Sequence, residues 1–499
     1  MSDVDKDRRW LINAGGAAVL ASTLPLSLSA AKERAASPPS PTGVEQGGVP
    51  AWAYVSPLAV TLAEYVSTVL ERALPDQVLA TAKLHVLDTI AAMVAGSRLK
   101  PGELAARYVE RLGGTPEALV VGTRTLTSVV NATFANAMAA HADESDDTNP
   151  IGPFHAGCGC VPGALAVAEH AGRTGMEVLR AVTLGYDVGT RLILSLGGTK
   201  HNPSCMTNTF AVTATCAALL RLSPAQVRYA FSYAGQQASG IGYWDRDIQH
   251  IEKAFDFGGM GARNGVMAAT MVAMGFTGVE DPFSGSPNIF SVLGNEPAPE
   301  NMIADLGRRF YILGTTIKQW GAGEPLQSVL DNMMALIKDP AVRPGNIKRI
   351  VVDVPTGDVH IVNNNPNPDL CVQHLIALTI VDHGATFWTI HDLARMRDPK
   401  VLAVRKLVEL VPSAALQIEK TKHLTAIRIQ TLDGRWISHS VRKMLGTAQD
   451  PMDAQQVEAK ALDLMGPVLG SARARRLIAT LSRLESLGPV SGLRPLLQA

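Results

Sequence analysis

Between Val60 and Thr277 the chain is written almost without interruption in helix, and several of those helices have no polar side. In one of them Leu79, Ala82, Val86, Ile90 and Val94 recur at three- and four-residue spacing. Gly96 follows that stripe where a helix C-cap would stand. The segments LTSVVNATFANAMAAHA, VPGALAVAEHA, GMEVLRAVTLGYDVGTRLILSL, TFAVTATCAALL and RNGVMAATMVAMG continue the pattern, rich in Ala, Gly and Val. A helix that is apolar on more than one face must be covered on each. Such segments belong inside a bundle or at a subunit contact.

Around residue 310 the pattern changes. IKRIVVDVP (347–355) and HLTAIRIQTLDGRWISHSV (423–441) are rich in β-branched residues, and Asp433-Gly434 between the two arms of the second is a hairpin signal. Helical stretches such as PLQSVLDNMMALI and KVLAVRKLVELV lie between them, and ALDLMGPVLG and ARRLIATLSRL return the tail to helix. The expected fold is mostly α: a large all-helical domain over 54–312, a smaller α+β domain over 313–450, and C-terminal helices, 451–499, packing back on the first domain. A chain of 499 residues exceeds one ordinary core, which agrees with that division.

The first fifty residues are of another kind. A charged start ends in Arg8-Arg9, and an uncharged, mildly apolar run follows from Trp10 to Ala31. It is less hydrophobic than a membrane span. Its order is that of a cleavable export signal, and Arg8-Arg9-Trp10-Leu11-Ile12 resembles the twin-arginine type. Residues 1–31 are therefore expected to direct export to the periplasm, with a cytoplasmic location if the signal goes unused and membrane attachment only if it stays uncleaved. Residues 32–53 read as a Pro/Ser/Gly linker.

Composition removes several functions. Forty-five basic residues balance 45 acidic ones, which leaves no cationic excess for nucleic acid. Five scattered Cys imply no disulfide framework. There is no Walker motif, no G-x-S-x-G and no H-E-x-x-H, and GGMGARNG lacks the dinucleotide fingerprint spacing.

The densest polar cluster is HADESDDTNPIGPFHAGCGC, residues 141–160. It gathers His141, Asp143, Glu144, Asp146, Asp147, Thr148 and His155 between two Ala-rich helices. Charge on a loop is usually solvated surface, but flanking buried helices and the bounding Gly152-Pro153 and Gly157 point to a fixed backbone. His155-x-x-Cys158-x-Cys160 is a poor zinc clip, since the two thiolates stand one residue apart. Buried free thiols between helices are the better account, so no metal is expected. Lys253 and Lys318 each adjoin a Gly-rich turn where backbone can approach a ligand.

These pieces resemble the MmgE/PrpD family, whose activities include 2-methylcitrate dehydratase, cis-aconitate decarboxylase and iminodisuccinate epimerase. The resemblance runs from about Val60 to Leu487 and rests on LHVLDTIAAMVAG, HADESDDT…FHAGC…PGALAVAE, LGYDVGTRL, LLRLSPAQVRYAFSYAG, KAFDFGGMGARNGVMAATMVAMGFTG, IKQWGAG and KRIVVDVP. It implies a helical domain with a smaller lid, an active site between them, a homodimer, and no cofactor. It puts Asp146, Asp147, Thr148 and His155 on the pocket floor, Lys253 at the substrate carboxylates and Lys318 entering from the lid. Glu144 stands where the family usually has Asp, His201 fills a second-histidine position only with a one-residue shift, and Val359-His360 replaces an expected tyrosine.

The residue types suit that chemistry. Handling a proton α to a carboxylate needs a base, an acid, and cations for the developing enediolate-like charge. Histidine titrates near operating pH. The expected roles are His155 as acid/base, Asp146 or Asp147 as its orienting partner, and Lys253 and Lys318 as clamps, with Thr148, Glu144 and His201 binding substrate. Three functions remain open: a dehydratase of a small di- or tricarboxylic acid, an epimerase or decarboxylase of a related acid, and an exported carboxylate-binding protein without catalysis.

Overall fold

The computed structural model describes residues 53–152, 154–417 and 423–499. The signal and nearly all of the linker lie outside the described residues.

Side chains that satisfy the first free N–H groups set several helix starts. Thr174 with Glu177, Ser223 with Gln226, and Asp453 with Gln456 form reciprocal capping boxes ahead of Gly175–Leu196, Pro224–Gln237 and Ala454–Leu469. Pro203–Leu219 is the central helix, with every residue from Ser204 to Leu219 buried. It packs most extensively on Gly175–Leu196 and Met260–Ala273. Small residues permit the close approach: a Cβ on Gly185 would lie 2.3 Å from Thr215 Oγ1 and 2.6 Å from Cys160 Sγ.

Gly96 proves to be the last residue of helix Asp76–Gly96, with Ser97 as its cap. A Cβ there would fall 1.9 Å from the Ala139 carbonyl oxygen. The glycine serves a helix–helix contact, where the sequence suggested a cap.

The second body has its own apolar core, drawn from residues such as Leu326, Val329, Leu330, Ile350, Leu375, Ile376, Ile427 and Ile429. Its sheet is built on strand Ile347–Pro355. That strand pairs in parallel with Val408–Ser413 and antiparallel with Ala426–Thr431, which turns through Asp433-Gly434 into Trp436–Ser440. Gly434 takes the left-handed φ of 91° that the hairpin requires. Helices Glu324–Leu336 and Val372–Asp382 pack against one another within this body.

KVLAVRKLVELV departs from the expected single helix. Helix Pro399–Arg405 ends within it, and Val408–Ser413 is the parallel edge strand. A short run of alternating Val, Leu and Glu fits either period, and pairing with the central strand decides. Helix Ala454–Leu469 packs along Asp76–Gly96, and Val457, Ala461, Leu464 and Met465 join the helical body's core.

Candidate active site

Helix Val129–Ala140 ends at His141, and helix Gly157–His170 begins sixteen residues later. The loop between them carries its charges inside the protein. Asp143, Glu144, Asp146, Asp147 and Thr148 are all buried, where an ordinary charged loop would be solvated. A buried charge survives only if paired, and each of the four carboxylates has a partner.

Asp147 belongs to the scaffold. Its Oδ1 accepts the Gly157 N–H at 2.9 Å, at the start of the second helix. Its Oδ2 accepts from His85 Nδ1 at 2.6 Å and from the Tyr186 hydroxyl. Asp146 is the carboxylate that meets His155: Oδ1 lies 3.0 Å from His155 Nδ1, and Oδ2 lies 3.0 Å from His141 Nδ1. Burial pushes the Asp146 carboxyl up, yet the two imidazoles hold it well below the usual range. An ionised carboxylate only accepts, so each ring presents Nδ1–H to it and His155 keeps its lone pair on Nε2. Burial pulls the His155 pKa down and Lys318 adds to the effect, against the pull of Asp146. The balance leaves the His155 imidazole below the ordinary histidine range.

Three buried lysines converge on the same loop. Lys253 pairs with the Glu144 carboxylate and stands over the rings of Trp244 and Phe257, at 4.9 and 5.0 Å. Lys318 donates to the Glu144 carbonyl at 2.6 Å and lies 3.8 Å from both Glu144 Oε2 and Asp146 Oδ1. Burial opposes its charge, but Asp146 and Glu144 raise its pKa, so the ammonium persists. The same cations hold Glu144 well below the usual range against its own burial. Lys460, from the C-terminal helices, donates to the Ser145 carbonyl at 2.8 Å and pairs with Asp88 at 2.6 Å.

Glu144, Thr148, His155, Lys253 and Lys318 line one cavity of about 350 Å³ between the helical body and the second body. Its size lies at the small end of ligand sites, roughly 300–1,000 Å³. His201 is not among its lining residues; Asn202 and Pro203, from the following turn, are. Sequence reasoning missed Trp244, Glu324 and His423, which also line it, and His250, whose Nδ1 lies 3.7 Å from Glu144 Oε1. Burial depresses His250 to about 4. Another cavity, of about 370 Å³, lies beside Ile151, Arg442 and Lys443, but among the described residues no histidine or carboxylate lines it.

His141, Asp146 and Cys158 bring ligand-type atoms within 4.8 Å of one another. Both Asp146 oxygens already accept imidazole N–H groups, and burial pushes the Cys158 thiol well up, away from the thiolate that metals require. His141 and Asp146 are joined by a hydrogen bond, and the Cys158 thiol donates instead to the His155 and Phe257 carbonyls.

Comparison with known proteins agrees with this architecture. The profile of the MmgE/PrpD N-terminal domain matches residues 60–301, and that of the MmgE/PrpD C-terminal domain matches 321–486. A cis-aconitate decarboxylase of Aspergillus terreus (strain NIH 2624 / FGSC A1156) is 24% identical over 463 residues, covering 84% of this chain and 91% of the relative. A cis-aconitate decarboxylase-like protein of Aspergillus oryzae is 24% identical over 278 residues, 52% of this chain and 57% of its own length. With both domain profiles matched in order along most of its length, the chain belongs to the MmgE/PrpD family.

Proposed function

We propose that this protein is a lyase that eliminates water from a small di- or tricarboxylic acid after removing a proton α to a carboxylate, using side chains alone. One observation carries the reading: His155, fixed through Nδ1 by Asp146, lines a small pocket together with the buried Lys253 and Lys318. His155 Nε2 takes the α-proton. Lys253 and Lys318 neutralise the substrate carboxylates and the enediolate-like charge that develops on them. The electron pair closes the carbon–carbon double bond, and the hydroxyl leaves as water once protonated. A homodimer formed through the helical body and export directed by residues 1–31 belong to the same proposal.

A second reading, decarboxylation, is favoured by the likeness to cis-aconitate decarboxylases along 84% of the chain. Loss of CO₂ leaves a carbanion that needs one proton and no leaving hydroxide. One experiment separates the two. The protein is incubated in D₂O with citrate, 2-methylcitrate, cis-aconitate and hydroxydicarboxylates, and exchange and products are followed by NMR. Alkene formation from a hydroxy acid is the expected result. CO₂ release from cis-aconitate alone selects the second reading, exchange with inversion points to an epimerase, and tight binding of an acid without exchange overturns the enzyme readings together.

A further inference from the structure

Two ionisable side chains reach the pocket from the second body, and the α-proton step gives them no task. Glu324 opens helix Glu324–Leu336, and His423 stands three residues ahead of strand Ala426–Thr431. The histidine is held at both ends. Ser328 Oγ donates to its carbonyl at 2.7 Å, and its Nδ1 lies 2.8 Å from Asp358 Oδ2. Its Nε2 is 4.0 Å from Glu324 Oε2. With Asp358 accepting from Nδ1–H, the Nε2 edge is the one turned toward Glu324.

We propose that His423, oriented by Asp358, is the acid that protonates the departing hydroxyl, with the Glu324 carboxylate stabilising its imidazolium form. This assignment rests on the water-eliminating reading above. His155 Nε2 takes the α-proton, the C–H electron pair forms the double bond, and the C–O bond breaks. The Nε2 proton of His423 passes to the departing oxygen, so water leaves and His423 is left neutral. Exchange with solvent then returns one proton to His423 and removes one from His155.

The surroundings of the two histidines divide the labour. Burial lowers His423, but the Asp358 hydrogen bond and the Glu324 charge bring it above an ordinary histidine, whereas His155 sits below one; burial raises Glu324 itself, against the pull of His423 and Lys318. Two titratable groups driven apart in one pocket mark an acid and a base. Decarboxylation delivers a single proton and has no use for both, so the second pair argues for a leaving hydroxide.

The test changes the leaving group. Wild type, His423→Gln and Asp358→Asn are given malate and citrate, and beside them chlorosuccinate and the 3-chloro counterpart of citrate, from which chloride departs without a proton. His423→Gln should lose water elimination by ~10²–10⁴-fold, keep α-proton exchange in D₂O, and recover on the chloro acids. Asp358→Asn should show the same pattern with a smaller loss, since it acts through the ring it orients. Equal losses on hydroxy and chloro acids, or unchanged water elimination in His423→Gln, overturn the assignment alone. A wild type that neither exchanges nor eliminates from any acid overturns the lyase reading and this assignment with it.

Discussion

Two walls of one pocket each present a histidine bonded through Nδ1 to an aspartate, at 3.0 Å for His155–Asp146 and 2.8 Å for His423–Asp358. The dyads are alike, yet their rings are pushed in opposite directions. Burial lowers both rings, and the charge beyond each dyad either adds to that or opposes it. Beside the first dyad stands the Lys318 ammonium, and Asp146 divides its charge between His155 and His141. Beside the second stands another carboxylate, Glu324, and Asp358 serves His423. A histidine–aspartate pair does not fix a role by itself; burial and the next charge decide it together.

The strongest test of that contrast removes the base. His155→Ala should lower α-proton exchange and turnover by ~10²–10⁴-fold, about 3–5 kcal/mol at about 1.4 kcal/mol per tenfold. The chloro acids should not rescue it, because proton removal precedes any leaving group. A rescued His155→Ala would erase the distinction between the walls.

Next in size is the support beneath the first wall. Lys460 neutralises Asp88 and holds the Ser145 carbonyl, and its own side chain is 3% exposed. Lys460→Ala leaves Asp88 buried without its cation, which costs ~3–5 kcal/mol of stability. Thermal denaturation reads the loss. His423, tied to Ser328 and Asp358 within the second body, should retain its function in whatever fraction stays folded.

How much of this the sequence discloses depends on range. The helices were legible because their stripes repeat locally, and the loop from His141 to His155 because so many ionisable groups crowd one segment between apolar helices. Choosing between Asp146 and Asp147 was beyond spacing, since the choice is made by His85 and Tyr186, which come from other helices and occupy Asp147. Lys460 is 315 residues from the carbonyl it holds, and His423 is 65 from the aspartate it meets. Nothing in their own neighbourhoods marks them. The strand Val408–Ser413 was hidden differently, by a run too short to show its period.

The two walls are also joined. His391 of the second body lies between Asp369 of that body and Asp143 of the buried loop, with Nε2 3.7 and 3.4 Å from their carboxylates. Burial lowers this ring, but the two carboxylates outweigh it and raise its pKa from 6.5 to about 10. A raised pKa in the folded state gives stability that is complete below about 6.5 and lost as pH climbs through about 10. The stability gap between wild type and His391→Gln should therefore be full, on the order of a few kcal/mol, at about pH 6.5, and shrink steadily as pH climbs through about 10. A gap independent of pH across that window would show that the ring joins the walls by packing rather than by charge.

The smallest effect discriminates most finely. Ser328 is fully buried, and its hydroxyl donates to the His423 carbonyl while lying 2.9 Å from Thr425 Oγ1. Ser328→Ala removes two neutral hydrogen bonds, to the His423 carbonyl and to Thr425, and leaves both charged dyads intact, so its cost in stability should be about 1–2 kcal/mol. If His423 works as the acid, loosening its backbone should slow water elimination while α-proton exchange by His155 continues at its normal rate. Parallel slowing of both would mean that the walls move as one unit. Slowing of elimination alone would locate acid and base on separately adjustable supports, which is what two apolar cores meeting at one pocket would allow.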